Sequence, residues 1–508
     1  MNAPSKSTGF FGHPIGLGTL FATEMWERFS YYGLRPLLIL FMSAALLDGG
    51  FGLDRTQAAA IVGIYAASVY LASLPGGWIA DRWLGLRRAI WWGALLITSG
   101  HLSIGLSGMA GQGTAGKVAF FAGLTLIVLG TGLLKPNISA IVGDLYPEGG
   151  ARRDAGFSIF YMGINLGAFL GQLVTGFLGE QVGWHWGFGA AGVGMFLGLV
   201  SFHIFSPRTL GDLGADIVRD PDPVVQARRE SRVKQITFGA VALVVAVFAA
   251  AAGGVITLDP VAIGTNMTAV LVGLAVVFFV TVFMDRSLVS QERKQVLVIL
   301  VLFIFASIFW AAFEQAPTSL NLFARDFTDR MVGGWEIPAT WFQSVNSFFI
   351  ILLAPVFAAI WTSMGKSGNE LSSPAKFTLG LVFAGVGFAM MIIPANAIVA
   401  SGGTVLVAPW WLVGSYFLQT AGELSLSPVG LSSMTKLSPR KYMGQMMGIW
   451  FVAASVGNLI AGLVGGRVDP EALEQTPQLF TYTSVALFGS AVVLALMIRP
   501  IRRMLERD

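Results

Sequence analysis

Apolar runs of about 20 residues recur from one end of this chain to the other, separated by short polar breaks. Where backbone N–H and C=O groups lose water, only helices or closed barrels satisfy them internally, and about 20 apolar residues match the thickness of a hydrocarbon core. The chain therefore reads as an all-α membrane protein. Its composition agrees, since 55% of the 508 residues are hydrophobic and only 12% charged, about half the charge of a soluble domain. The 63 glycines and 21 prolines are tolerated in such helices, where small residues allow close packing and freed backbone groups find partners.

Breaks at charge, glycine or proline predict six spans near 16–47, 56–80, 87–109, 117–142, 154–180 and 185–206. A polar stretch over 207–234 follows, then two smooth spans near 235–257 and 261–284. Six more come near 296–325, 338–364, 375–395, 409–435, 442–466 and 478–499. The expected organisation is a six-helix bundle over 1–206, a cytoplasmic linker over 207–234, an extra two-helix hairpin over 235–285 and a second six-helix bundle over 286–508. The hairpin spans hold no ionisable residue and are expected to face lipid as a scaffold. Met1 to Gly12 lack a signal-peptide core, so the first span is expected to act as an uncleaved signal.

The basic residues set the orientation, because cytoplasmic loops hold an excess of Lys and Arg. With the N-terminus inside, 24 of the 32 fall on that face, Lys6 and Arg507 among them, against five outside: Arg55, Lys117, Arg325, Arg330 and Arg467. Both termini are thus expected to be cytoplasmic. The net charge of +4 is spread over short loops with no basic face interleaved with aromatics, so no nucleic-acid partner is expected. Without cysteine there are no disulfides or thiolate metal sites. His13, His101, His185 and His203 form no ligand spacing, so no metal site is expected. Gly187, Gly189 and Gly192 spell a dinucleotide fingerprint but lie inside a span with no preceding strand. Gly111 to Lys117 mimics a phosphate loop but has Val118 where magnesium binding needs Ser or Thr, which removes the case for ATP.

The remaining charges lie within spans: Arg28, Arg35 and Lys135, with Glu24, Glu27, Glu314 and Glu423. A charge at mid-bilayer costs a few kcal/mol, so seven belong in a protein interior or a wet cavity. Glu24, Arg28, Tyr31 and Arg35 recur at helical spacing on one face, flanked by Glu27 and Tyr32. Carboxylates beside a guanidinium in a partly dry site feel opposed influences and change protonation when the partner moves, which suits coupling to protons. Lys135 precedes Pro136, which weakens the helix ladder, and Asn137 is placed to repair it. Glu314 precedes Pro317 and Glu423 precedes Pro428, so acids sit beside proline breaks in the second half. Cations in the first half and anions in the second fit a substrate with a carboxylate at one end and an ammonium at the other. Tyr70, Tyr161, Trp310 and Trp450 are candidate pocket walls or core packing, and Asn165 and Asn346 candidate substrate contacts or helix-to-helix bonds.

Three segments carry a family resemblance over essentially the whole chain. Glu24-Met25-Trp26-Glu27-Arg28-Phe29-Ser30-Tyr31-Tyr32-Gly33 reads ExxERFxYYG. Gly77-Trp78-Ile79-Ala80-Asp81-Arg82 with Gly85, Arg87 and Arg88 resembles a loop motif between the second and third helices of the major facilitator superfamily. Phe160-Tyr161-Met162-Gly163-Ile164-Asn165-Leu166-Gly167 resembles a fifth-helix signature. Together they resemble the proton-dependent oligopeptide transporters of that superfamily. The resemblance implies a major facilitator fold, two six-helix bundles with two extra helices, importing di- and tripeptides with protons by alternating access. It implies no cofactor beyond the proton, a bacterial inner-membrane location, membrane lipid as surroundings and function as a monomer.

By matching positions, the resemblance implies that Arg35 and Lys135 bind the peptide carboxylate, and Asn165, Asn346 and Glu423 the amino end. Glu24, Glu27 and Arg28 would link protonation to Lys135, while Glu314 would take part in proton coupling or extracellular gating. Tyr31, Tyr70, Trp310 and Trp450 would line the pocket, and Asp81, Arg82, Arg87 and Arg88 would stabilise a closed cytoplasmic gate. The second span, Thr56 to Ala80, lacks the histidine that animal relatives use, so proton binding falls to carboxylates; Phe313 stands where some members carry a second acid. The rival on the same fold is a proton-coupled carrier of another small anion or zwitterion, such as nitrate, a drug or an amino acid.

Overall fold

Fourteen long helices follow one another in the computed structural model, which describes residues 8–217, 219 and 221–505. Lys6 and Arg507 of the charge count lie outside the described residues. In chain order the helices are α1 (Ile15–Ser43), α2 (Arg55–Ile79), α3 (Leu86–Ser107), α4 (Thr114–Asp144), α5 (Gly150–Phe177) and α6 (Trp184–Thr209). Then come α7 (Pro223–Ala252), α8 (Pro260–Met284) and α9 (Ser290–Phe313), with the short α10 (Asn321–Phe327). The last five are α11 (Trp341–Lys366), α12 (Ser373–Ala400), α13 (Trp410–Leu437), α14 (Met443–Gly465) and α15 (Gln475–Leu505). Twelve stretches are long and apolar enough to cross a membrane. The long helices left out are α1, with its four mid-helix charges, and α13, which carries Glu423 among Ser, Thr and Gln. The rest of the described regular structure is short helical turns and two small hairpins, β1 (Thr8–Phe10) with β2 (His13–Pro14) and β3 (Met331–Val332) with β4 (Trp335–Glu336).

Helix ends follow local chemistry. Proline at the first helical position loses nothing, because that N–H has no helical partner, and an Asp before it caps the next free donor. Asp222 accepts from the Val224 N–H at 2.8 Å and Asp259 from the Val261 N–H at 2.9 Å, starting α7 and α8 at Pro223 and Pro260. Helix α7 therefore begins within the polar 207–234 stretch, about three turns before the apolar run. Single π-turns extend α2 (Ala80–Leu84) and α5 (Leu178–Val182), and another (Ala316–Leu320) separates α9 from α10.

The chain forms two compact units. The first takes residues through Leu37, Ala44–Phe51 and Ser68–Leu258; the second takes Leu38–Ser43, Gly52–Ala67 and residues from Asp259 on. Helix α7 belongs to the first unit and α8 to the second. In the first unit α3 and α4 meet at paired glycines. A Cβ on Gly93 would lie 2.6 Å from the Gly130 carbonyl, and one on Gly100 2.5 Å from that of Gly123; the converse distances are 2.6 Å in both cases. In the second unit Gly380 of α12 and Gly422 of α13 touch in the same way. Hydrocarbon gives no hydrophobic force between helices, so contact this close supplies the dispersion that holds them. By contrast α7 buries only Val233, leaving its apolar length on the outer surface.

Candidate functional site

On α1, glycine packing decides which way the charged stripe points. Gly167 and Gly171 of α5 lie against the backbone carbonyls of Met25 and Phe29, and the Thr175 hydroxyl donates to the Gly33 carbonyl at 2.8 Å. These contacts hold one side of α1, so its polar stripe is turned to the other. Glu24, Glu27, Arg28, Tyr31 and Arg35 are all buried, at 7% exposure or less. Arg28 Nε lies 2.9 Å from Glu24 Oε1 and 2.6 Å from Glu27 Oε2, and its guanidinium stands 5.5 Å from the centre of the Tyr31 ring. One cation thus serves two carboxylates. The Thr131 hydroxyl of α4 reaches Glu27 Oε1 at 3.5 Å, and Lys135, one turn further on, is within electrostatic range of the same carboxylate. Lys135 Nζ stands 4.2 Å from the centre of the Tyr70 ring, a cation–π distance. Asn137 donates to the Leu133 carbonyl at 2.6 Å, beside the Pro136 break as the sequence implied.

Asn165 of α5 donates to Tyr161 of its own helix at 3.0 Å rather than to another helix. Of the gate residues, Asp81 and Arg88 are exposed, Arg82 lies 5.6 Å from the centre of the Trp78 ring, and Arg87 donates to the Gly211 carbonyl at 2.5 Å. Asp81 makes no ion pair with these arginines among the described residues.

The second unit carries the acidic group. Asn346 of α11 donates to the Thr420 hydroxyl of α13 at 2.9 Å and to Glu423 Oε2 at 3.3 Å, which joins two of the expected residues. Glu314 caps the end of α9, 5% exposed, two residues before the turn that leads to α10. Gln343 donates to the Tyr416 hydroxyl at 2.6 Å and to the Ala316 carbonyl at 2.7 Å, tying α11 and α13 to that π-turn. Trp310 packs its Cβ against Gly457, and the buried indole N–H has no hydrogen-bond partner among the described residues. Trp450 fills the space over Gly430. On the same unit Arg55 Nη1 lies 2.5 Å from Asp326 Oδ2 and donates to the Val468 carbonyl at 2.9 Å. Sequence reasoning missed Thr131, Thr420, Gln343 and Tyr416. The signal for the first two was present, since Thr131 lies four residues before Lys135 and Thr420 three before Glu423; the Gln343–Tyr416 bond depends on helix pairing alone.

No group of His, Asp or Glu suited to a metal occurs among the described residues. Buried carboxylates and guanidinium groups in membrane helices, with the half-buried ammonium of Lys135 beside them, define a membrane carrier. The chain belongs to the POT family, whose model, PTR2, matches residues 87–476. It is therefore a multi-pass membrane transporter and not an enzyme, and its fold is the major facilitator fold of that family. It is 49% identical over 505 residues to the peptide transporter YePEPT of Yersinia enterocolitica, covering 99% of this chain and 98% of that one. To the di-/tripeptide transporter of Lactococcus lactis subsp. cremoris it is 35% identical, covering 98% and 97%. Among solved structures, a peptide transporter POT in complex with sulfate superposes with a TM-score of 0.88 at 41% identity, covering 98% and 97%. A POT family transporter in complex with 5-aminolevulinic acid gives 0.85 at 35% identity, covering 97% and 98%.

Proposed function

We propose that this chain imports di- and tripeptides together with protons by alternating access, in the inner membrane of a bacterium, with both termini cytoplasmic and as a monomer. The observation that carries this reading is the buried α1 cluster, in which two carboxylates share Arg28 within electrostatic range of Lys135. A purely structural pair needs one acid for one base; the additional acid is a place for a proton to come and go. Glu24, Glu27 and Arg28 link that proton to Lys135. Arg35 and Lys135 take the peptide carboxylate, and Glu423, with Asn165 and Asn346, the amino end. Tyr31, Tyr70, Trp310 and Trp450 supply apolar walls. Glu314 serves proton coupling or extracellular gating at the α9 break, and Asp81, Arg82, Arg87 and Arg88 form the cytoplasmic gate. The proton is the coupling ion and no other cofactor is needed.

The test is uptake of labelled dialanine into liposomes holding the purified protein, with and without an inward proton gradient, in competition with alanine, nitrate and longer peptides. Gradient-dependent accumulation that yields only to di- and tripeptides is the expected result. Competition by free amino acids or nitrate instead would move the substrate to another small zwitterion or anion.

A further inference from the structure

At the start of α7, one helical face carries Val225, Arg228, Arg229, Arg232 and Val233, at spacings of three, one, three and one. That face is turned toward Trp78 and Arg82 at the end of α2, and the six residues Trp78, Arg82, Arg228, Arg229, Arg232 and Val233 surround most of a cavity of about 420 Å³. Four guanidinium groups line it, and among the described residues no carboxylate does. Glu230, on the same helix, is occupied elsewhere, with Lys234 at 3.9 Å and the Gln226 amide at 3.0 Å. None of the four arginines makes an ion pair among the described residues. Like charges gathered around a concave space raise its potential and draw in an anion.

What lies next to the cavity identifies the anion. Lys234 stands 5.6 Å from the centre of the Trp83 ring, and Trp83 packs edge-on against Phe238 at 5.9 Å. From there α7 exposes an unbroken apolar surface, with Phe238 at 62%, Leu243 at 66% and Val245 at 61%. Basic residues at the start of α7, Trp83 of the α2 extension beside Lys234 and Phe238, and then bare aliphatic side chains along α7 follow the order of a bilayer from headgroup to acyl chain. A soluble anion has no use for the apolar continuation, whereas an amphiphile fills both parts.

We infer that the α2–α7 cavity binds an anionic phospholipid, its phosphate held by Arg82, Arg228, Arg229 and Arg232 and its acyl chains lying along α7. Guanidinium meets phosphate in paired hydrogen bonds, and four of them suit a headgroup with two phosphates better than one with a single phosphate. The site gives α7 a ligand of its own; it shares Arg82 with the proposed cytoplasmic gate, while its three other arginines lie on α7 and have no part in the peptide reading.

Native mass spectrometry of the full chain in detergent tests this, with tetraoleoyl diphosphatidylglycerol, dioleoyl phosphatidylcholine and glycerol 3-phosphate as probes. The parent protein should prefer the diphosphatidylglycerol. The R228Q/R229Q/R232Q variant should lose that preference on the order of a hundredfold, taking about fivefold per basic residue near the lipid surface. R228K/R229K/R232K should keep most of it, and R152Q, an exposed arginine in the first turn of α5, should change nothing. Hydrogen exchange of the unaltered protein needs no variant: adding the lipid should slow exchange across residues 223–234. Unchanged lipid preference in the glutamine variant, or no slowing in the parent, overturns the proposal. Displacement of the lipid by equimolar glycerol 3-phosphate overturns it in favour of a soluble-anion site.

Discussion

Replacing Glu27 by Gln keeps the shape of the side chain and removes one charge from a trio in which two carboxylates share one guanidinium. Arg28 loses its 2.6 Å contact but keeps Glu24 at 2.9 Å. Stripping a buried ion of its sole partner costs about 3–5 kcal/mol. With Glu24 in place the loss is closer to that of one hydrogen bond to a charged group, about 1.5–3 kcal/mol, so the variant should fold with a modestly lowered Tm. The effect on coupling is larger in kind. One pH unit across the membrane supplies about 1.36 kcal/mol per proton, a tenfold ratio of peptide inside to outside. If Glu27 carries the coupling proton, accumulation by Glu27→Gln should collapse to equality across the membrane whatever the gradient. Exchange of labelled for unlabelled dialanine, which needs no net proton movement, should continue. Both are read in the same liposomes by tracer uptake at imposed pH steps. Parent-like accumulation, tenfold per pH unit, would refute the assignment of the coupling proton to Glu27.

Three further outcomes follow from the geometry. Arg35→Ala should weaken uptake of peptides with a free carboxylate more than of their carboxyl-amidated forms, and equal loss for both, measured by competition against labelled dialanine, would remove Arg35 from carboxylate binding. Gly100→Val should destabilise by about 3 kcal/mol or more, because the added atoms meet the Gly123 carbonyl backbone, whereas a Cβ on Gly105 of the same helix meets nothing within 4 Å, so Gly105→Ala should not lower Tm in detergent. Hydrogen bonds from Lys441 and Tyr442 hold the Asp285 carboxyl below the usual carboxylate range. Its stabilisation is therefore complete above the ordinary value of about 3.9 and is lost as pH falls below it; a melting series from pH 6 to 3 should lose that acid slope in Asp285→Asn.

The spans and the buried charges were legible in the sequence because a bilayer penalises errors of either kind: too few apolar residues fail to cross, and an idle charge is expelled. The stripe Glu24, Arg28, Tyr31, Arg35 could be read as one helical face for the same reason. Less legible were features set by tertiary contact. The expected span over 296–325 is α9, a π-turn and α10; Glu314 and Pro317 mark the place of the break in the sequence, but the π-turn and the short helix that resumes beyond it are set by packing. The start of α7 was invisible to hydropathy because its first turns are polar, although Asp222 before Pro223 marks a helix start by capping chemistry. Partners such as Tyr416 for Gln343 depend on which helices are neighbours, which one chain's periodicity does not state. Asn165 shows the same limit, since a mid-span amide can satisfy itself on its own helix as well as across a groove.

The paired glycines of α3 and α4 have a practical consequence for spectroscopy. Each backbone rests on the other's carbonyl at two levels, seven residues apart on both helices, so neither helix has room to slide or roll against its neighbour. A probe pair with one label on each of the two should report a distance that does not change when substrate or a proton gradient is applied. The natural chain contains no cysteine, so such labels can be introduced by single thiol substitutions without first clearing a background. The α3–α4 seam thereby supplies an internal reference length against which movement of any other helix pair can be measured.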